Sequence, residues 1–137
     1  MRPMMSRLLP VAVLLLAAAC AEGPEVPGFP EKATRAYEAY LHQPSEAAYH
    51  NFIQENRKVQ LGRETFNDDI GILVQVRALE IQSLHAESTG NLNLAVGVVD
   101  RVDEIEEGEV IEVYDEVLPG SKARLHAARD RVAAMVE

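Results

Sequence analysis

Between Phe66 and about Glu87 the apolar residues cover more of a helical circumference than one buried stripe requires, and this stretch constrains the fold more than any other. At ~100° per residue, Phe66, Ile70, Leu73, Val74, Ile81 and Leu84 share one side, while Ile72, Val76 and Leu79 widen the apolar arc past half the circumference. A helix this apolar has to be covered by neighbours on more than one side. Thr65, with Asp68 three residues on, has the spacing of a capping box and is expected to open it. The stretch is therefore the expected central helix of a bundle.

The flanking segments supply the neighbours. Ala33, Ala36, Tyr37, Tyr40 and Leu41 recur three and four apart, and the same spacing returns after Pro44-Ser45 in Tyr49, Phe52 and Ile53, which predicts a short helical hairpin. Residues 92 to 99 alternate as a half-buried strand would, through Leu92, Leu94, Val96 and Val98. The longer window favours a helix: over 92 to 107 Leu92, Leu94, Ala95, Val98, Val99, Val102 and Ile105 gather on one half of the wheel. Val110, Val113, Tyr114 and Val117 predict a shorter helix after Gly108. Ser121 is the expected cap of a last helix with Leu125, Ala128, Val132, Met135 and Val136 facing inward. The expected fold is thus all-α, a small bundle of about five or six helices over residues 31–137.

The first thirty residues have a different character. Arg2 and Arg7 precede an apolar run from Leu8 to Ala19, and Cys20, the only cysteine of the chain, follows at once. A basic start, a short apolar stretch and small residues before a cut form an export signal, and with the cysteine at its end the layout resembles a bacterial lipoprotein signal peptide. Ala17 stands where that family most often has leucine, with Leu16 one step earlier. The resemblance ends at residue 20. It implies removal of residues 1–19, acylation of Cys20 and attachment of the mature protein to a lipid bilayer in the cell envelope; an ordinary secretory signal cut near Ala19 is the alternative. Twelve residues are too few to cross a hydrocarbon core, which takes ~20 in a helix. Ala21 occupies the place where the family's usual inner-membrane retention signal is an aspartate, so in a Gram-negative cell the resemblance implies the outer membrane, facing the periplasm. Residues 20–30, with three prolines and two glycines between Ala21 and Pro30, are expected to form a disordered tether.

All 22 Asp and Glu lie beyond residue 19, and without Arg2 and Arg7 the 13 Lys and Arg become 11, a formal charge of −11. That balance argues against nucleic acid, whose phosphates need a clustered basic surface. With one cysteine there is no internal disulfide, so packing has to stabilise the domain. Nine of the acids fall between Asp100 and Glu116, with Arg101 the only base among them. This run is either a solvated face or a docking surface for a basic envelope or secreted protein, in which Asp100, Asp103, Glu104, Glu107, Glu112 and Glu116 would make the contacts.

Catalytic motifs are missing from the sequence: it has no Gly-x-Ser-x-Gly elbow, no phosphate loop and no His-Glu-x-x-His pair. No catalytic residue, metal ligand or cofactor is expected. His42, His50, His85 and His126 share no ligand spacing within one helix and are expected to be titrating surface groups, and the acid run lacks the turn that wraps calcium. Arg77, on the apolar side of the central helix, is expected to pair with Glu80. The aromatics, at helical spacing, are expected mainly in the core. These observations favour a membrane-anchored envelope lipoprotein whose acidic helical domain is a non-catalytic protein-binding or adaptor module. A periplasmic inhibitor or immunity-type protein, neutralising a basic enzyme or toxin, is the alternative.

Overall fold

The computed structural model describes residues 26–137. The expected signal peptide, Cys20 and the first part of the expected tether lie outside the described residues. Six helices follow in order: α1 (Glu31–His42), α2 (Glu46–Leu61), α3 (Asp69–Thr89), α4 (Leu92–Glu107), α5 (Val110–Val117) and α6 (Ser121–Val136). The described chain is all-α, a helical bundle, and the 92–107 stretch is a helix rather than a strand.

α3 is the axis of the bundle, packing against α1, α2, α4 and α6. Its Ile72, Leu73, Val76, Leu79 and Ala86 join a large apolar cluster with residues of α4, α5 and α6, while its Ile81 joins Ala36, Tyr37, Tyr40 and Phe52 in a smaller one against α1 and α2. One helix serves two cores, which is why its apolar residues run all the way round.

The start of α3 differs from the expected one. Asp68, not Thr65, is the N-cap, its Oδ1 accepting from Gly71 N at 2.9 Å. Phe66 lies ahead of the helix in the connecting loop. That loop returns so close to the first turn that a Cβ on Gly71 would sit 2.6 Å from Phe66 Cα, and a helix begun at Phe66 is incompatible with this return. The other caps are local: Ser45 Oγ accepts from Ala48 N at 3.0 Å, Asn91 Oδ1 accepts from Leu94 N at 3.1 Å, and Gly90, with φ 70°, ends α3 in the left-handed region where glycine is least strained.

Four further expectations are corrected. Residues 26–30 are not free: Phe29 N donates to Val26 O at 3.1 Å, and both side chains pack on the large cluster. On α5 the buried residues are Ile111 and Tyr114, continued by Leu118, whereas Val113 and Val117 are exposed. Two apolar stripes overlap on this short helix, and α4 and α6 cover only one of them. Ser121 does not cap α6; it is the first helical residue, buried, its hydroxyl donating to Leu118 O at 2.7 Å. Asp115 takes the capping role from a distance, its Oδ1 accepting from Gly120 N and Lys122 N, both at 3.1 Å. At the end of α6 Val136 is exposed and Met135 only partly buried.

Candidate functional site

An open groove of about 680 Å³ lies between the end of α2, the loop before α3, and α3 to α5. Its walls are made by Gln60 and Leu61, by Phe66 and Asn67, by Gln75, Ala78, Leu79 and Gln82 of α3, by Arg101, Glu104 and Ile105 of α4, and by Val110 and Tyr114 of α5. Gln75 organises the floor. Its Nε2 donates to Phe66 O at 3.3 Å and Gly71 O at 3.4 Å, fastening the loop to the helix. Its Oε1 accepts from Tyr114 Oη at 2.8 Å and from Arg101 Nη2 at 2.9 Å. Burial pushes the Tyr114 phenol above its ordinary pKa, against the lowering effects of the Gln75 hydrogen bond and the Arg101 charge. Arg101 Nη1 reaches Glu104 at 3.2 Å, so the one cation lining the groove among the described residues is already engaged on two sides. The rim is different: Leu61 is 79% exposed and Phe66 41% exposed. An apolar mouth over a polar floor that is internally satisfied can bind and orient a chain segment.

The acid run beside this groove is divided. α6 presents Lys122, His126 and Arg129, four and three residues apart, to its inner members. Arg129 clamps Asp103 at 2.6 and 3.3 Å, His126 Nε2 lies 2.7 Å from Glu106, and Lys122 meets Glu112 at 2.6 Å. Hydrogen bonding to these carboxylates raises the pKa of Lys122 and of Arg129. Of the six expected contact residues, Asp103 and Glu112 are thus bound within the fold, and Glu104 is shared with Arg101. Asp100, Glu107 and Glu116, with Glu109, which the expected set did not include, are exposed and make no side-chain hydrogen bond or ion pair among the described residues. Glu109 also opens α5 with φ 61°, a left-handed conformation unusual outside glycine.

The histidines depart from expectation at one position. His85 is 4% exposed, inside the bundle. Its Nδ1 is 2.9 Å from Tyr40 Oη, its Nε2 is 2.8 and 3.1 Å from the two oxygens of Glu46, and its ring stacks on Tyr49 at 3.9 Å and 6°. A carboxylate only accepts, so Nε2 donates to Glu46, and in the neutral imidazole Nδ1 then accepts from the phenol. Desolvation raises the pKa of Tyr40 and Tyr49. His85 escaped notice in the sequence because α3 has no polar face that would set an inward-facing histidine apart. Among the described residues no group of three or more His, Cys, Asp or Glu side chains could hold a metal ion.

Arg77 does not pair with Glu80. Its guanidinium lies between two rings, 4.9 Å from the Phe29 centroid and 4.5 Å from that of Tyr37, with Nη1 donating to Thr34 Oγ1 at 2.9 Å. Desolvation lowers its pKa, and Nε is buried without a hydrogen-bond partner. Glu80 instead accepts from Tyr37 Oη at 2.8 Å and takes Arg124 in a fork, at 2.8 Å from Nε and 2.5 Å from Nη2. Burial alone lowers the Arg124 pKa, and the Glu80 carboxylate more than reverses it, so the net shift is upward. The aromatic expectation holds for Tyr37, Tyr40, Phe52 and Tyr114, which are buried, and fails for Phe66 on the groove rim.

No protein-family model, curated protein or solved structure matches the chain. Among the described residues no helix is long and apolar enough to cross a membrane.

Proposed function

We propose that this chain is a lipid-anchored protein of the bacterial cell envelope whose acidic helical domain binds another protein and performs no chemistry. The anchoring half rests on Cys20 and the signal-like residues before it. The binding half is carried by one observation: α6 pairs with Asp103 and Glu112 of the 100–116 run, yet Asp100, Glu107, Glu109 and Glu116 stay in water without a side-chain partner among the described residues, on α4, α5 and the turn between them, and these two helices help to wall an open groove with an apolar rim. Unpaired like charges repel one another and add nothing to folding, whereas a partner with a basic surface would be steered to them.

Two measurements test the two halves. Metabolic labelling with a palmitate analogue, followed by fractionation, should find the wild type labelled and membrane-bound and Cys20→Ser unlabelled and soluble; a Cys20→Ser protein that stays on membranes refutes the anchor. Affinity capture with the full-length product at low and high salt should retain basic envelope proteins at low salt only, because surface charges are screened within ~8 Å at physiological ionic strength. Retention should fall in Glu107→Lys with Glu116→Lys. An eluate that is empty at both salts, or unchanged by these substitutions, refutes the binding half.

A further inference from the structure

We propose that the groove between α2 and α5 seats a segment of a partner protein in which apolar side chains stand next to lysines or arginines. This rests on the protein-binding reading above and names its site and the chemistry of the occupant. The rim places Leu61 and Phe66 in water, with Ala78 and Val110 half-buried on the walls, whereas Leu79 and Ile105 line the groove but are already buried. Large apolar groups at a concave mouth gain from being covered.

The groove's openness points to a chain segment rather than a small molecule. Small-ligand sites bury most of the ligand's surface, whereas a peptide lays one face into a groove and keeps the other wet. The centre of the floor makes no polar demand on the occupant, since both ends of the Gln75 amide and the Tyr114 hydroxyl are already engaged, while the amides of Gln60, Asn67 and Gln82 along the walls make no side-chain hydrogen bond among the described residues and can meet the occupant's backbone.

Charge selects among apolar segments. Glu104 lines the groove, and Asp100 and Glu107, about one turn to either side of it on α4, are exposed and unpaired. The lone lining cation, Arg101, is held by Gln75 and Glu104. An acidic occupant would meet this stripe of carboxylates; a basic one complements it. The occupant is therefore amphipathic, with its apolar side chains against Leu61 and Phe66 and its cations along α4.

The test uses the purified full-length product in phosphatidylcholine nanodiscs and a short fluorescent peptide carrying paired leucines between lysines, read by anisotropy against empty discs. A second peptide replaces each lysine by glutamate. The wild type should bind the lysine peptide at least about tenfold more tightly than the glutamate peptide, and Leu61→Ser and Ala78→Trp should each weaken lysine-peptide binding by about tenfold or more. Leu61 is too exposed for its substitution to unfold the domain, so that variant remains informative if Ala78→Trp fails to fold. Equal affinity for the two peptides, or unchanged binding by Leu61→Ser, overturns the proposal. So does octanol shifting groove resonances that the peptide leaves alone, which makes the groove a small-ligand pocket, or a doubled mass abolished by Leu61→Ser, which gives it to a second copy. Salt-sensitive partner capture that Leu61→Ser does not affect would remove the groove and keep the protein-binding reading. Peptide binding by a product that native cells leave unlipidated would do the reverse to the envelope reading.

Discussion

Replacing Glu80 by alanine removes the carboxylate that holds α1, α3 and α6 together. It accepts from Tyr37 of α1 and from two nitrogens of Arg124 of α6, and the side chains of Glu80 and Arg124 are 14% and 15% exposed. Without it the Arg124 charge stays buried with Tyr37 Oη, at 3.2 Å, as its remaining hydrogen-bond partner. Breaking a buried pair by deleting one partner costs about 3–5 kcal/mol, because the survivor's desolvation is no longer offset. For a domain of this size, at ~4 °C per kcal/mol, Tm should fall by about 12–20 °C. Glu80→Gln keeps an acceptor and should lose about 1.5–3 kcal/mol, the usual worth of hydrogen bonds to a charged group. The double variant Glu80→Leu with Arg124→Leu should recover most of the loss, since no buried charge is stranded. Urea denaturation followed by circular dichroism is the assay, with the midpoint shifting at constant m. A cost below about 1 kcal/mol for Glu80→Ala, or single-variant losses that simply add in the double, would refute the reasoning.

Gly71→Ala should destabilise the protein by about 1–3 kcal/mol although alanine is the better helix former, because its Cβ would lie 2.6 Å from Phe66 Cα and 2.8 Å from Phe66 C and O; a thermal melt at or above wild type contradicts this. Asp115→Ala should cost about 0.5–2 kcal/mol through the loss of its bonds to Gly120 N and Lys122 N, seen as faster amide exchange in the first turn of α6. Stability should also fall as pH rises above ~10. Tyr40, Tyr49 and Tyr114 have raised pKa values in the fold, so above the unfolded pKa the native state holds more protons than the unfolded state, and ionisation favours unfolding. The check is whether tyrosinate absorbance appears together with loss of helix; ionisation of all four tyrosines in a still-helical protein contradicts it.

The all-α fold was legible because helices announce themselves over three or four residues. The spacing of Tyr37, Tyr40 and Phe52 and the apolar excess on α3 report local geometry, and packing then rewards it. The acid run was equally visible, but its use was not. Asp103 and Glu112 find Arg129 and Lys122 only because α6 returns alongside α4 and α5, and in the sequence those cations look like ordinary surface charges. Arg77 and Glu80 are three apart on one helix, yet each has a better partner elsewhere: two aromatic rings for one, a guanidinium fork for the other.

The amino-acid order alone determined which stretches turn helical, that α3 requires cover on several sides, that the domain is strongly acidic, and that a cysteine follows an apolar run. Only the tertiary structure decided which of two stripes α5 buries, that the segment from Val26 docks, that His85 is interior, and that a groove opens beside Glu104. Backbone periodicity and net charge are set by near neighbours in the sequence. The choice of a partner for a buried charge or an apolar face is a competition among groups tens of residues apart, and packing settles it.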